Sequence, residues 1–315
     1  MDSKRPQNSD GSVLMYHKHT SPRVFLPHTI NEALEMAVRE SNAVFLAGGT
    51  ELSCHSMDRK LINLPKTVIS LSLVEELKRA SRSEYGLDIG AMMTLESLLQ
   101  ISRSTLPTGL YDAISCIGTL PLRNRATIGG HLALQRRIGN LHPLLQLLDT
   151  RIEIRSSRRR GRKHGLVRKI PIALLDKKTL QNSKELISKI SIPVDNWDIG
   201  FHRKILPGND DERFLIFTAL ASVKEGVLSE WRMSFSDGYT EILRDRELEV
   251  DMAGQSLPFG NKELKILEEG IFKLTAPWKA DFYNRKTAVA CARGFLKRIE
   301  NNNIDGTRSD FREKK

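Results

Sequence analysis

The sequence predicts an α+β fold, and three observations carry that prediction. Residues 29–49 read as a capped helix followed at once by an apolar strand that ends in two glycines. Residues 229–238, SEWRMSFSDG, set Trp231, Met233 and Phe235 at period two, the pattern of a half-buried antiparallel strand. Residues 281–299 turn Phe282, Ala288, Val289, Ala292, Phe295 and Leu296 broadly toward one helical face. Helices and strands mix without a strict strand–helix–strand order, so a mixed architecture fits better than a doubly wound parallel sheet.

Taken in order, residues 1–22 are polar, lack the apolar core of a signal peptide and are expected to be a flexible tail. Residues 23–74 form a first small α/β unit. Thr29 and Glu32 make a capping box, EALEMAVRE follows as a helix, AVFLAGG is a strand ending in a glycine turn, and KTVISLSLV is a second strand. Residues 75–193 form a second unit. Here LDIGAMMT reads as a strand, TLESLLQIS, LYDAISCIG and LHPLLQLLD as helices, and RIEIRSS and KIPIALL as strands around an arginine-rich turn. Residues 194–301 form a third unit, with 211–226, DERFLIFTALASVKEG, read as a helix and further helices over 261–275 and 281–299. Residues 302–315 are a polar tail, expected to fray.

Composition narrows the class. The 315 residues are 40% hydrophobic and 28% charged, as in an ordinary globular protein, and the longest apolar runs are too short to span a bilayer. Cys54, Cys116 and Cys291 make neither a CxxC motif nor a disulfide framework and fit a reducing cytoplasm. Three thiols are also too few to hold an iron–sulfur cluster, which usually needs four ligands. The net charge of +11 is concentrated in a run from Arg155 to Lys169. Lacking aromatic residues and any nucleic-acid fold signature, that run reads as a solvated hairpin tip rather than an RNA-binding module. The eight histidines show no metal-ligand spacing beside a carboxylate, and there is no GxSxG elbow.

The chemistry lies in two glycine turns, VFLAGGTEL at 44–52 and RNRATIGGHL at 123–132. Without a Cβ, backbone amides can approach a phosphate, and successive amides form an anion-binding nest. Two such nests are expected to grip the two phosphates of a dinucleotide. Neither is a GxGxxG fingerprint or a Walker A loop.

These segments resemble the FAD-binding subunit of the molybdenum hydroxylases, the family of xanthine dehydrogenase and carbon monoxide dehydrogenase. FLPHTINEAL, FLAGGTEL, LPKTVISLSLVEELK, LDIGAMMTLESLL, PLRNRATIGGHLA and LLQLLDTRIEIRSS follow the family's order, closely over residues 23–193 and loosely over 194–300. The resemblance implies a PCMH-like fold, with FAD held between two subdomains and a C-terminal domain of a small antiparallel sheet and helices. It implies FAD contacts at Phe45, Leu46, Ala47, Gly48, Gly49, Thr50, Glu51 and Leu52, and at Ala126, Thr127, Gly129, Gly130 and His131. Asn140 matches a position that reaches the flavin, and Lys204 the lysine that approaches FAD in some members. No residue of the chain itself is expected to be catalytic, because the chemistry belongs to the cofactor. Partner subunits are expected to carry molybdopterin and [2Fe–2S] clusters, with NAD or another oxidant as acceptor.

The chain also departs from the family pattern. His131 replaces an asparagine, Gly139 and Asn140 stand where serine and aspartate are usual, and Arg136 and Arg137 replace small residues. Those arginines either add positive charge near the flavin or mark a site that has drifted. Two alternatives therefore stay open: an FAD-deficient structural or regulatory subunit of the same complex, and a stand-alone UDP-N-acetylmuramate dehydrogenase-like flavin reductase.

Overall fold

The computed structural model describes residues 22–40, 42–51, 65–134, 138–157, 165–175, 184–194, 197–206, 214–238, 241–278 and 282–312. Strands β1 (Arg23–Phe25), β2 (Val44–Leu46) and β3 (Thr67–Ser70) make a parallel sheet in the order β1-β3-β2. Helix α1 (Ile30–Arg39) buries Ile30, Ala33, Leu34 and Ala37, the spacing of one helical face. Its start is capped as the sequence predicts: Thr29 Oγ1 accepts from the Glu32 amide at 3.2 Å. The Glu32 carboxylate reaches back one residue further than a standard capping box, to the His28 amide at 2.8 Å.

The second unit is built on a five-stranded antiparallel sheet. Its strands are β4 (Ala80–Ser83), β5 (Gly86–Gly90), β6 (Arg151–Ser156), β7 (Val167–Pro171) and β8 (Glu185–Pro193), in the order β4-β5-β8-β6-β7. Short helices α2 (Leu95–Leu99), α3 (Leu110–Ser115), α4 (Leu120–Arg123), α5 (Ile128–Leu132) and α6 (His142–Leu147) cover it. Leu95, Leu98, Leu110, Ile128 and Leu144 lie fully buried against Ile89, Ile152 and Ile190 of the sheet. The expected KIPIALL strand begins earlier, at Val167, and leaves the sheet after Pro171 as a 3-10 turn over Ile172–Leu174.

The third unit pairs β9 (Ile199–Ile205), β10 (Leu215–Lys224), β11 (Val227–Ser236) and β12 (Ile242–Leu243) antiparallel, in the order β12-β11-β10-β9. Helices α7 (Arg246–Met252), α8 (Asn261–Leu274) and α9 (Phe282–Arg312) complete it. Trp231, Met233 and Phe235 share the buried face the alternation predicts, and Ala288, Ala292, Phe295 and Leu296 of α9 meet them. Phe217 stacks on Phe235 with ring centroids 5.0 Å apart.

Two expectations are corrected. The helix expected over 211–226 is not found in the described part of that range, residues 214–226: Leu215–Lys224 is an inner strand of the third sheet. Its first seven residues are all buried, so the two faces show no polar alternation, and the hairpin turn at Glu225 (φ 50) and Gly226 (φ 75) is the decisive local signal. The polar C-terminal stretch is helical as far as Arg312, in continuity with α9. The strand β10 also joins two cores: Leu220 packs into the second unit's core, whereas Phe217, Ala219 and Ala221 pack into the third's.

Candidate functional site

The two glycine turns, 77 residues apart in sequence, meet in the fold. A Cβ on Gly48 would lie 1.8 Å from the carbonyl oxygen of Arg125 and 3.2 Å from the amide nitrogen of Ala126. No other residue type permits that approach. Gly49, at φ +70, adopts the left-handed conformation that turns the chain after β2. A Cβ on Gly130 would meet Ala47 Cβ at 3.3 Å, and Arg125 Nε donates to the Gly48 carbonyl at 3.4 Å.

The turns play different parts. In the first, Phe45, Leu46, Ala47, Gly48, Gly49, Thr50 and Glu51 are all half-buried at the edge of β2. The amides of Ala47, Gly48 and Thr50 have no hydrogen-bond partner among the described residues, so this turn keeps donors available. In the second, the expected row of free amides is absent. The amide of Ile128 donates to Met93 O (3.0 Å), that of Gly129 to Ala91 O (2.9 Å), that of Gly130 to Thr127 Oγ1 (3.1 Å) and that of His131 to Thr127 O (2.9 Å). Ala126, Thr127 and Gly129 are buried, and only Gly130 and His131 are half-buried. A Cβ on Gly129 would lie 2.6 Å from Ala91 Cβ, so this glycine serves packing against β5's end. The second turn is thus a buttress for the first. The sequence shows the glycines but not which amides the fold has already used.

Beyond α5 the chain returns over His131. Its Nε2 accepts from the Leu141 amide at 3.3 Å, and a Cβ on Gly139 would lie 2.5 Å from the same nitrogen. Asn140, between them, is 9% exposed. The Ile138 amide donates to Gly238 O at 2.8 Å, tying this segment to the third sheet. Gly238 itself lies against the Phe214 ring, and Lys204 Nζ sits over that ring, 4.0 Å from its centroid. Phe214 thus links Lys204 to the Gly238 edge that the Ile138 amide meets. Leu52, Arg136 and Arg137, and residues 158–164 of the basic run, lie outside the described residues.

A separate cavity of about 170 Å³ lies elsewhere, lined by residues including Glu76, Arg79, Asp88, Glu153, Arg155 and Lys189, and contains no residue of either glycine turn. Its charges are largely matched within the wall, by Lys189–Asp88 at 3.0 Å and Arg155–Glu153 at 2.9 Å. Burial pushes the Glu153 carboxyl up, but hydrogen bonds from Ser188 and Arg155 outweigh it and hold the pKa below the usual value.

Sequence comparison identifies the family in which these two glycine turns occur. Residues 18–195 match the model of the FAD binding domain in molybdopterin dehydrogenase. The chain belongs to that family. It is an FAD-binding oxidoreductase subunit of the molybdenum hydroxylase type. The glyceraldehyde dehydrogenase medium chain of Sulfolobus acidocaldarius is 24% identical over 232 residues, 73% of this chain and 80% of that protein. The nicotinate dehydrogenase FAD-subunit of Eubacterium barkeri is 30% identical over 138 residues, 42% of this chain and 46% of its own. Among solved structures, quinoline 2-oxidoreductase from Pseudomonas putida 86 superimposes with a TM-score of 0.71 at 17% identity, covering 92% of this chain and 99% of the other. Carbon monoxide dehydrogenase from Hydrogenophaga pseudoflava gives 0.68 at 19% identity, covering 89% and 96%. At those identities the structural likeness speaks to fold, and it extends the α+β architecture over nearly the whole molybdenum hydroxylase-type chain.

Proposed function

We propose that this chain holds FAD as the electron-transfer subunit of a multi-subunit molybdopterin hydroxylase or dehydrogenase. Electrons arrive from [2Fe–2S] clusters on a partner chain and leave to NAD or another oxidant, while a molybdopterin-binding large subunit handles the substrate. The observation that carries the reading is the contact of Gly48 with Arg125, which brings the turn holding the unpartnered amides of Ala47, Gly48 and Thr50 against the turn that leads into Thr127–Gly130.

In this reading the first turn's amides donate to pyrophosphate oxygens, and the half-buried setting strengthens those bonds by limiting competition from water. Thr127 fixes the second turn by capping α5. Gly130, His131, Asn140 and Lys204 frame the side of the site nearest the third sheet. When bound, FAD supplies the exchange between one-electron and two-electron carriers, and the protein's part is to hold and orient it.

The test is purification of the chain with its co-expressed partner subunits. Flavin absorbance near 450 nm, released as one FAD per chain on denaturation, and co-purification with a CxxC-bearing iron–sulfur chain are expected. A colourless complex that gains no such absorbance with added FAD rejects the flavoprotein assignment. Flavin retention without an iron–sulfur partner rejects the electron-transfer role.

A further inference from the structure

His131 and Gly139, eight positions apart in sequence, meet at one contact. In the fold the imidazole fills the space a side chain at residue 139 would need: an ideal Cβ there lies 2.5 Å from Nε2, 2.7 Å from Cδ2 and 2.9 Å from the His131 carbonyl oxygen. Only glycine is compatible with the ring in that place. The same Nε2 accepts from the Leu141 amide at 3.3 Å. The amide of His142 then donates to Gly139 O at 3.0 Å, closing a turn over residues 139–142 with Asn140 held inside it.

We propose that His131 and Gly139 are an interlocked pair in which His131 acts as a positioning residue, holding Asn140 at the flavin edge through the Leu141 amide. This rests on the flavin reading above. An acceptor at Nε2 requires the neutral ring with its proton on Nδ1. The imidazole spans the distance to the 139–141 turn, and the missing side chain at Gly139 makes room for it. One residue supplies the hydrogen bond and the other removes the clash that would prevent it. Neither is replaced well alone, because a serine at 139 overlaps the ring and an asparagine at 131 leaves a gap and a shorter acceptor.

Two measurements test it on the full chain. The first needs no flavin. His131→Phe keeps a ring of similar size and removes the acceptor, so amide exchange at Leu141 should rise by tenfold or more over wild type, on the order of one lost hydrogen bond. Unchanged exchange overturns the proposal. The second is a double-mutant cycle on FAD affinity and on the flavin absorbance envelope, using His131→Asn, Gly139→Ser and the pair together. Gly139→Ser alone should weaken FAD binding by about tenfold and shift the flavin spectrum, and the His131→Asn/Gly139→Ser pair should restore both, a coupling of about 1–2 kcal/mol. Additive effects, or a Gly139→Ser chain with wild-type affinity and spectrum, overturn the positioning role. A wild-type chain that takes up no FAD rejects the flavin reading instead, and the exchange measurement distinguishes that outcome because it is made without flavin.

Discussion

Gly48 and Arg125 touch backbone to backbone: a methyl group on Gly48 would lie 1.8 Å from the Arg125 carbonyl oxygen. The two turns that define the site are therefore held at a fixed separation by the chain itself. Gly48→Ala should force them apart. The expected outcome is a loss of about 2–4 kcal/mol in stability, as for severe overpacking, together with loss of FAD on gel filtration. Chemical denaturation and the ratio of absorbance at 450 and 280 nm check both. Gly254→Ala, where nothing lies near the added atom but φ is +82, should lower stability by about 1 kcal/mol and leave flavin content unchanged.

Thr127 caps α5 through the Gly130 amide at 3.1 Å. Thr127→Ala should cost about 1 kcal/mol, and Thr127→Ser should recover most of it. Because the second turn buttresses the first, FAD affinity is expected to fall in the alanine variant and recover in the serine variant. Titration calorimetry with FAD checks the affinity, and thermal melts the stability.

Glu249 is 8% exposed, pairs with Arg244 at 2.8 Å and accepts from the Met233 amide at 3.1 Å. Removing it leaves a guanidinium and a strand amide uncompensated inside the third unit. Glu249→Ala should destabilise by about 3–5 kcal/mol. The measurement is the urea midpoint, with the slope unchanged if only stability is affected.

His202 is 7% exposed and burial pushes its pKa down from 6.5 to about 4. The folded protein disfavours the protonated ring, so between those values the unfolded chain binds the extra proton. The stability this neutral histidine contributes is complete above pH 6.5, falls as the pH drops toward 4, and is worth roughly 3 kcal/mol across the window. His202→Asn should flatten the stability profile between pH 6.5 and 4, read from denaturant midpoints at successive pH values.

Much of this was legible in the residues, for reasons that differ by element. Thr29 and Glu32 announced α1, because capping is a local interaction. Trp231, Met233 and Phe235 announced β11, because one face of that strand meets α9 and the other is more polar. Leu215–Lys224 misled, because a strand buried on both faces has no alternation and its alanines favour helix as readily. At the site, the glycines marked the turns, since close backbone approach has few other solutions. Their division of labour was hidden. That the Gly129 amide is spent on Ala91, or that the His131 ring lies where a Gly139 side chain would be, depends on contacts set by the whole fold.

Strand β10 turns Leu220 toward one core and Phe217, Ala219 and Ala221 toward another. A cut near residue 194 would separate the chain at a loop, yet it would strip a fully buried leucine from the flavin half and leave the opposite half with an uncovered sheet face. Grafting a C-terminal domain from a relative onto this flavin half would thus succeed only if the donor strand brings an apolar residue to Leu220's place. The modules of this protein share a wall, and whatever loosens one side of it loosens the other.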